Sequence, residues 1–362
     1  MKKWLVRIGI FLTIVFIGLA VFILVDANDK AVIKTYARNE NLLTIKPDWQ
    51  GTPVDEKGRF VNAEFSFLPR ISEILKWQLS SNPQKQEKLN DTERLQVLDA
   101  TEFLNSEKDG IIWLGHASFF IRLNSKNILI DPVFGSPSFI KKYVDFPSPI
   151  AKLKKVDYVL ISHDHRDHCD ENTIKEIAKK FPEARFYGGL RMDELFKTWI
   201  PNEAQSAGWF QQFKLPDEKI KITFLPVRHW CQRGIADTNH RLWGGFIISG
   251  ASKTIYFGGD SGYGNHYKKT AELFPEIDYF LIGIGAFKPR WFMEAVHNSP
   301  EDAMKAFIDS KAKTLVPMHY GTFDLSDEPP SEPLRLLKED AKKNNLSEKL
   351  KPIQINESII FE

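Results

Sequence analysis

The sequence predicts a layered α/β (α+β) fold in which two sheets are covered by helices, preceded by a single transmembrane helix. Three observations predict it. From Gly110 onward, short β-like runs alternate with amphipathic helical patterns, and stacking in layers lets elements of both kinds bury their apolar faces. An uncharged apolar run occupies residues 8–25. The chain of 362 residues has only two cysteines, Cys169 and Cys231, so the fold rests on an apolar core and not on a disulfide framework.

The elements follow in chain order. At a rise of roughly 1.5 Å per residue, residues 8–25 come close to crossing a ~30 Å hydrocarbon layer, with Trp4 and Arg7 at one interface. A cleaved signal peptide is the rival, since Val25-Asp26-Ala27 has small or apolar residues where a peptidase would cut. The apolar run is longer than a usual signal core, so an uncleaved anchor over residues 1–27 is expected. Lys2, Lys3 and Arg7 sit tight against its first end, while Lys30, Lys34 and Arg38 lie farther beyond the second. Proximity then puts the N-terminus inside, giving a single-pass membrane protein with the bulk of the chain, residues 101–362 included, outside the cytoplasm.

Residues 28–100 read as a linker and an N-terminal extension that packs on the main domain. They are turn-rich to about residue 60, then helical over 68–79, where Leu68, Ile71, Ile74, Leu75 and Leu79 share a stripe, then a charged loop over 82–93. Residues 101–362 form the main domain. Runs at 111–114, 119–123 and 127–130 predict an antiparallel meander. Residues 156–161 predict a buried strand, and Asp170 is placed to cap the following helix, with Ile174, Ile177, Ala178 and Phe181 on its inner stripe. Strands are expected at 220–226, 245–248, 254–257, 279–284 and 314–318, and helices near 266–273, 300–309 and 332–343. The net charge of +2 supplies no basic field, and no stacking stripe is present, so nucleic acid is not expected as a partner.

All nine histidines fall between His116 and His319. The densest group, His163-Asp164-His165-Arg166-Asp167-His168, directly follows the 156–161 strand. In extended geometry His163 and His165 project to one side, and a turn at Arg166 brings Asp167 and His168 nearby. Imidazole with carboxylate suits zinc, and also iron or manganese. His229, Asp260 and His319 each stand at or just after a predicted strand, and shared strand exits allow one converging site. His116 and Asp131 are read as supporting residues near that site. Trp230, Tyr263 and Tyr320, with Arg290 and Trp291, adjoin site motifs and either line a substrate pocket or pack in the core. His240 and His266 read as surface or network residues. Cys169 and Cys231 stand within two residues of candidate ligands, leaving thiolate ligation or a labile disulfide open.

From about Lys46 to the C-terminus the sequence resembles the metallo-β-lactamase fold superfamily, and within it the branch of N-acyl-phosphatidylethanolamine-hydrolysing phospholipase D. The motifs that carry the resemblance are Gly51-Thr52-Pro53, Gly58-Arg59-Phe60-Val61-Asn62, Trp113-Leu114-Gly115-His116-Ala117-Ser118, Ile130-Asp131-Pro132, the His163–His168 run, Arg228-His229-Trp230, Asp237-Thr238-Asn239-His240-Arg241-Leu242-Trp243-Gly244-Gly245, Gly258-Gly259-Asp260-Ser261-Gly262-Tyr263, His297-Asn298-Ser299-Pro300-Glu301-Asp302-Ala303 and Met318-His319-Tyr320-Gly321-Thr322-Phe323. The resemblance implies a four-layer αββα sandwich. It implies two divalent metal ions, one on His163, His165 and His229 and the other on Asp167, His168 and His319, with Asp260 bridging. It also implies that His297 lies beside them.

The expected chemistry is zinc-dependent hydrolysis, with manganese or iron as alternatives, by a hydroxide bridging the metals. Asp167 and His297 are the candidate catalytic residues, as base or orienting group and as proton or hydrogen-bond donor. A phosphodiester in a phospholipid-like substrate leads, as in a phospholipase D. Carboxylic ester, lactone or amide hydrolysis is the alternative, and a non-catalytic, membrane-held metal-binding protein is the alternative of another class. The sequence leaves the oligomeric state open.

Overall fold

The computed structural model describes residues 31–137 and 140–361. The hydrophobic run expected as a membrane anchor lies outside the described residues. Among the described residues no helix is long and apolar enough to cross a membrane.

Two seven-stranded sheets stack face to face. The first runs, edge to edge, through Ser358–Ile360, Gly110–Gly115, Ser118–Leu123, Lys126–Ile130, Tyr158–Ile161, Arg185–Gly189 and Ala204–Ala207. Its first four strands pair antiparallel, so the meander expected from the sequence is present, and the remaining strands continue parallel. The second runs through Thr314–Met318, Tyr279–Gly283, Thr254–Phe257, Gly245–Ser249, Lys221–Leu225, Gln211–Gln212 and Leu43–Thr44.

The layering follows from side-chain alternation. Ile111, Trp113, Ile128, Ile130, Tyr158 and Leu160 turn inward to the second sheet, where Ile222, Phe224, Phe246 and Phe257 meet them. Their neighbours Ile112, Leu114, Leu129, Val159 and Ile161 turn outward, where the helix Glu171–Lys180 covers them with Ile174 and Ile177. That helix starts where Asp170 accepts the Thr173 amide at 2.9 Å, as expected. On the far side, Ala303, Met304 and Phe307 of Pro300–Ser310 and Leu337 and Ala341 of Glu332–Lys343 close the second sheet. Ser299 and Asp302 form a capping box at the start of Pro300–Ser310. The α/β sandwich therefore has helices outside and two sheets within, the layer order expected from the sequence.

The N-terminal extension differs from its expected form. The turn-rich stretch contains strands at Ile33–Ala37, Leu43–Thr44 and Thr52–Asp55, and the last is wholly buried. Short pairing, antiparallel between Ile33–Ala37 and Thr52–Asp55, hides in a turn-rich composition because hydrogen bonds, not apolar periodicity, hold it. The helix Ile71–Leu79 forms, yet none of its residues is buried and Leu79 is 85% exposed. Trp77, off the predicted stripe, makes the contact instead, against Phe292 at 5.3 Å and through its indole N–H to Asp327. The expected loop over 82–93 contains a helix at Lys85–Asn90, which has no buried residue and so no stripe to read.

Candidate metal centre

Each clustered side chain leaves the end of a strand. The strand Tyr158–Ile161 delivers Ser162 and His163, Lys221–Leu225 runs toward His229, Thr254–Phe257 toward Asp260, and Thr314–Met318 ends at His319. Backbone at these exits is bent sharply: His116, Asp131 and His319 have φ of 53°, 40° and 61°. Gly259 has φ of 56°, and a β-carbon there would lie 2.8 Å from the Gly244 carbonyl. Two glycines before Asp260 thus let its strand press against the neighbouring turn.

The convergence is close. His163 Nε2 lies 3.0 Å from His165 Nδ1, and His229 Nε2 lies 3.2 Å from the same atom. On the other side, His168 Nε2 and His319 Nε2 each stand 3.6 Å from Asp167 Oδ2. Asp260 Oδ2 sits between the two sets, 3.2 Å from both His168 and His319 and 3.8 Å from His229. All seven residues proposed as ligands are therefore brought together. His297 joins them with Nδ1 3.8 Å from Asp260 Oδ2. His163, His168, His229, Asp260 and His319 form a buried floor, and His165, Asp167 and His297 a half-buried rim.

These groups fit metal ions. His168 Nε2, both ring nitrogens of His319 and Asp260 Oδ1 are buried without a hydrogen-bond partner, an expensive state for polar atoms unless a ligand engages them. Imidazole and carboxylate donors converging on two centres are a donor set for divalent cations such as zinc, iron or manganese.

Outer partners fix the rings. Asp131 Oδ2 lies 2.8 Å from His168 Nδ1, and Asp131 also accepts from the Ser162 amide at 2.7 Å and hydroxyl at 2.5 Å. His229 Nδ1 faces the Val296 carbonyl at 3.0 Å. His116 bridges Thr322 Oγ1, 3.0 Å away, and Asp167 Oδ2, 3.1 Å away. His116 and Asp131 thus hold ring and carboxylate orientation. Without metal, burial opposes ionisation of Asp260, but His168 and His319 beside it outweigh burial and hold its carboxyl well below the usual range. Burial likewise lowers His319, yet Asp260 prevails and its pKa rises to about 9. Burial takes His297 down to about 4.

The other candidates divide. Trp230 meets His165 edge-on at 4.7 Å and borders the rim. Tyr263 instead donates its hydroxyl to Asp309 at 2.6 Å, and Tyr320 stacks on Trp113. Arg290 is tied to Asp302 at 2.6 Å, and Trp291 is exposed. His240 is exposed, but His266 is buried, which corrects the surface alternative for it. Both cysteines are free, buried thiols whose pKa burial pushes up, and neither belongs to a metal-competent group among the described residues.

Sequence reasoning missed one brace. Arg241 Nε holds Asp164 at 2.5 Å and Arg241 also pairs with Asp237, while Arg233 donates to the carbonyls of Asp164 and Cys169. This clamps the backbone of the His163–His168 run from outside. The only signal was the charge-rich Asp237–Arg241 stretch.

A family model described as a beta-lactamase superfamily domain matches residues 126–320. N-acyl-phosphatidylethanolamine-hydrolyzing phospholipase D 1 of Caenorhabditis elegans is 31% identical over 303 residues, 77% of this chain and 83% of the relative. The mitochondrial N-acyl-phosphatidylethanolamine-hydrolyzing phospholipase D of Saccharomyces cerevisiae is 29% identical over 63% of this chain and 51% of its own length. Among solved structures, a metallo hydrolase from the archaeon Ignicoccus hospitalis matches 70% of this chain and 99% of its own, with a TM-score of 0.55 and 23% identity, a likeness of fold.

Proposed function

The chain belongs to the metallo-β-lactamase superfamily, in the branch like N-acyl-phosphatidylethanolamine-hydrolysing phospholipase D, and from that premise we propose that this metal-dependent hydrolase cleaves a phosphodiester in a phospholipid-like substrate. The observation that carries the reading is Asp260 Oδ2 standing between two histidine sets, with a relative of that named activity aligned over most of both chains.

In this reading His163, His165 and His229 would hold one ion, Asp167, His168 and His319 would hold the other, and Asp260 would serve both. Bound there, two divalent cations, zinc as the leading case, supply Lewis acidity and a water acidified toward neutral pH. The chain's own residues do the rest. Asp131, Ser162, His116 and the Val296 carbonyl fix ring orientation, so donors need not reorganise during reaction. Asp167 keeps one oxygen on His116 and, with its side chain 15% exposed at the rim, is the carboxylate that meets a reacting proton. His297, neutral near pH 7 because burial lowers its pKa, donates an N–H to the substrate oxygen. Trp230 forms the apolar edge of the opening. The apolar run of residues 8–25 anchors the chain in a membrane with the site outside the cytoplasm, which holds it near lipid.

The test joins metal quantitation to product analysis on the purified full chain, offering N-acyl-phosphatidylethanolamine, bis-p-nitrophenyl phosphate and p-nitrophenyl acyl esters. About two ions per chain with release of phosphatidic acid supports the proposal. Turnover of the acyl esters alone would replace it with carboxylic ester chemistry, and His297→Gln with normal metal and unchanged turnover would remove His297 from the mechanism.

A further inference from the structure

A second cleft, of about 210 Å³, opens between the N-terminal extension and the second sheet, and none of the clustered metal-site residues lines it. Its walls are aromatic, and its charges are positive except for Glu64. Lys46 Nζ lies 5.0 Å from the Trp49 ring centre and 4.6 Å from that of Phe210. The Arg228 guanidinium sits 3.7 Å over Phe65. Neither cation has a carboxylate partner among the described residues: Arg228 donates to the Tyr263 carbonyl and its Nε meets no acceptor. Lys269 is shared with the exposed Glu64, the only acid lining the cleft. His266, 5% exposed, also lines it, with Nε2 3.1 Å from Ser261 Oγ. Cations held on aromatic faces without counter-ions, in a recess that limits water, present a ready-made field for a multiply charged anion.

We propose that this cleft binds an organic phosphate, its phosphoryl oxygens at Lys46, Arg228 and Lys269 and its organic part against Trp49, Phe65 and Phe210. The phosphate comes from a phospholipid headgroup or from a soluble phosphate ester, and the chemistry is common to both. The cleft lies behind the metal centre and is separated from it by Arg228 and Ser261. Ser261 Oγ accepts the Arg228 amide at 3.0 Å, and Ser261 and Arg228 directly adjoin Asp260 and His229 in the chain.

The test uses the full-length, metal-loaded protein in detergent. Glycerol 3-phosphate is titrated calorimetrically, and in parallel the protein is mixed with phosphatidylcholine vesicles with or without phosphatidic acid. Saturable binding is expected in at least one arm, weakened roughly tenfold or more by Lys46→Gln and by Lys269→Gln, since each removes a charge-assisted hydrogen bond. Saturation with glycerol 3-phosphate identifies a soluble ester, and a gain confined to phosphatidic acid vesicles identifies a headgroup. His163→Ala should leave this affinity unchanged, which separates the cleft from the metal centre. Two independent half-buried lysines guard against one misfolded variant, and matching melting curves verify both. Absence of saturable binding in both arms, or binding lost in His163→Ala and kept in both lysine variants, overturns the proposal.

Discussion

The metal-site run His163–His168 and the segment of residues 71–90 both meet loops of the second sheet, and they are held in opposite ways. The first leaves a strand whose residues are fully buried and is tied by Asp131, Arg233 and Arg241. The second contributes no buried residue to the core and is attached by Trp77 and Asn82 to Asp327 and by Lys88 to Asp324 and Ser326. Rigidity in this chain belongs to side chains whose backbone exits a packed sheet, and a site that must keep several donors in register is built there.

Breaking the strong side of that comparison should give the largest effects. Asp260→Ala removes the group between the two histidine sets, so metal content should fall and turnover should drop on the order of 10³-fold or more, equivalent to several kcal/mol of transition-state stabilisation; metal analysis with steady-state rates checks this. Phe280→Ala, deep between sheet and helices, should cost about 3–5 kcal/mol in denaturant unfolding. Asp131→Asn leaves the donor atoms in place but loosens His168, and metal affinity should weaken roughly 10–100-fold in a competition titration.

Acidity sharpens the same contrast. Because the metal-free His319 has its pKa raised to about 9, it carries a proton at pH 7, and loading the site must expel that proton. Metal affinity should therefore fall as pH drops below 9, and calorimetry in buffers of different ionisation enthalpy should show net proton release. The smallest effect belongs to the weak side: Leu79→Ser, at a position 85% exposed, should shift stability by no more than about 0.5 kcal/mol.

Much of this was legible in the residues. Short apolar, β-like runs exposed the meander and the strand before His163, and the strand-exit rule collected His229, Asp260 and His319 from far along the chain. What stayed hidden lacked a periodic signal. Gln211–Gln212 and Leu43–Thr44 are two-residue strands made by pairing alone, the first against Lys221–Leu225 and the second added to it at the sheet edge. Leu79 looked like core because a stripe states which face a helix has, not whether anything covers it. The brace of Arg241 on Asp164 joins positions 77 apart in sequence, a distance that no local pattern spans.

One feature of the layering bears on how the protein withstands heat. His163, His165, Asp167 and His168 leave the first sheet, while His229, Asp260 and His319 leave the second. Ions gripped by both sets would rivet one layer to the other, so that prying the sandwich open along that seam means surrendering the ions first. Melting temperature should then climb with free metal concentration, by about 2.7 kcal/mol of added stability at a hundred times the dissociation constant, and a chelator should act on the whole sandwich as a denaturant would.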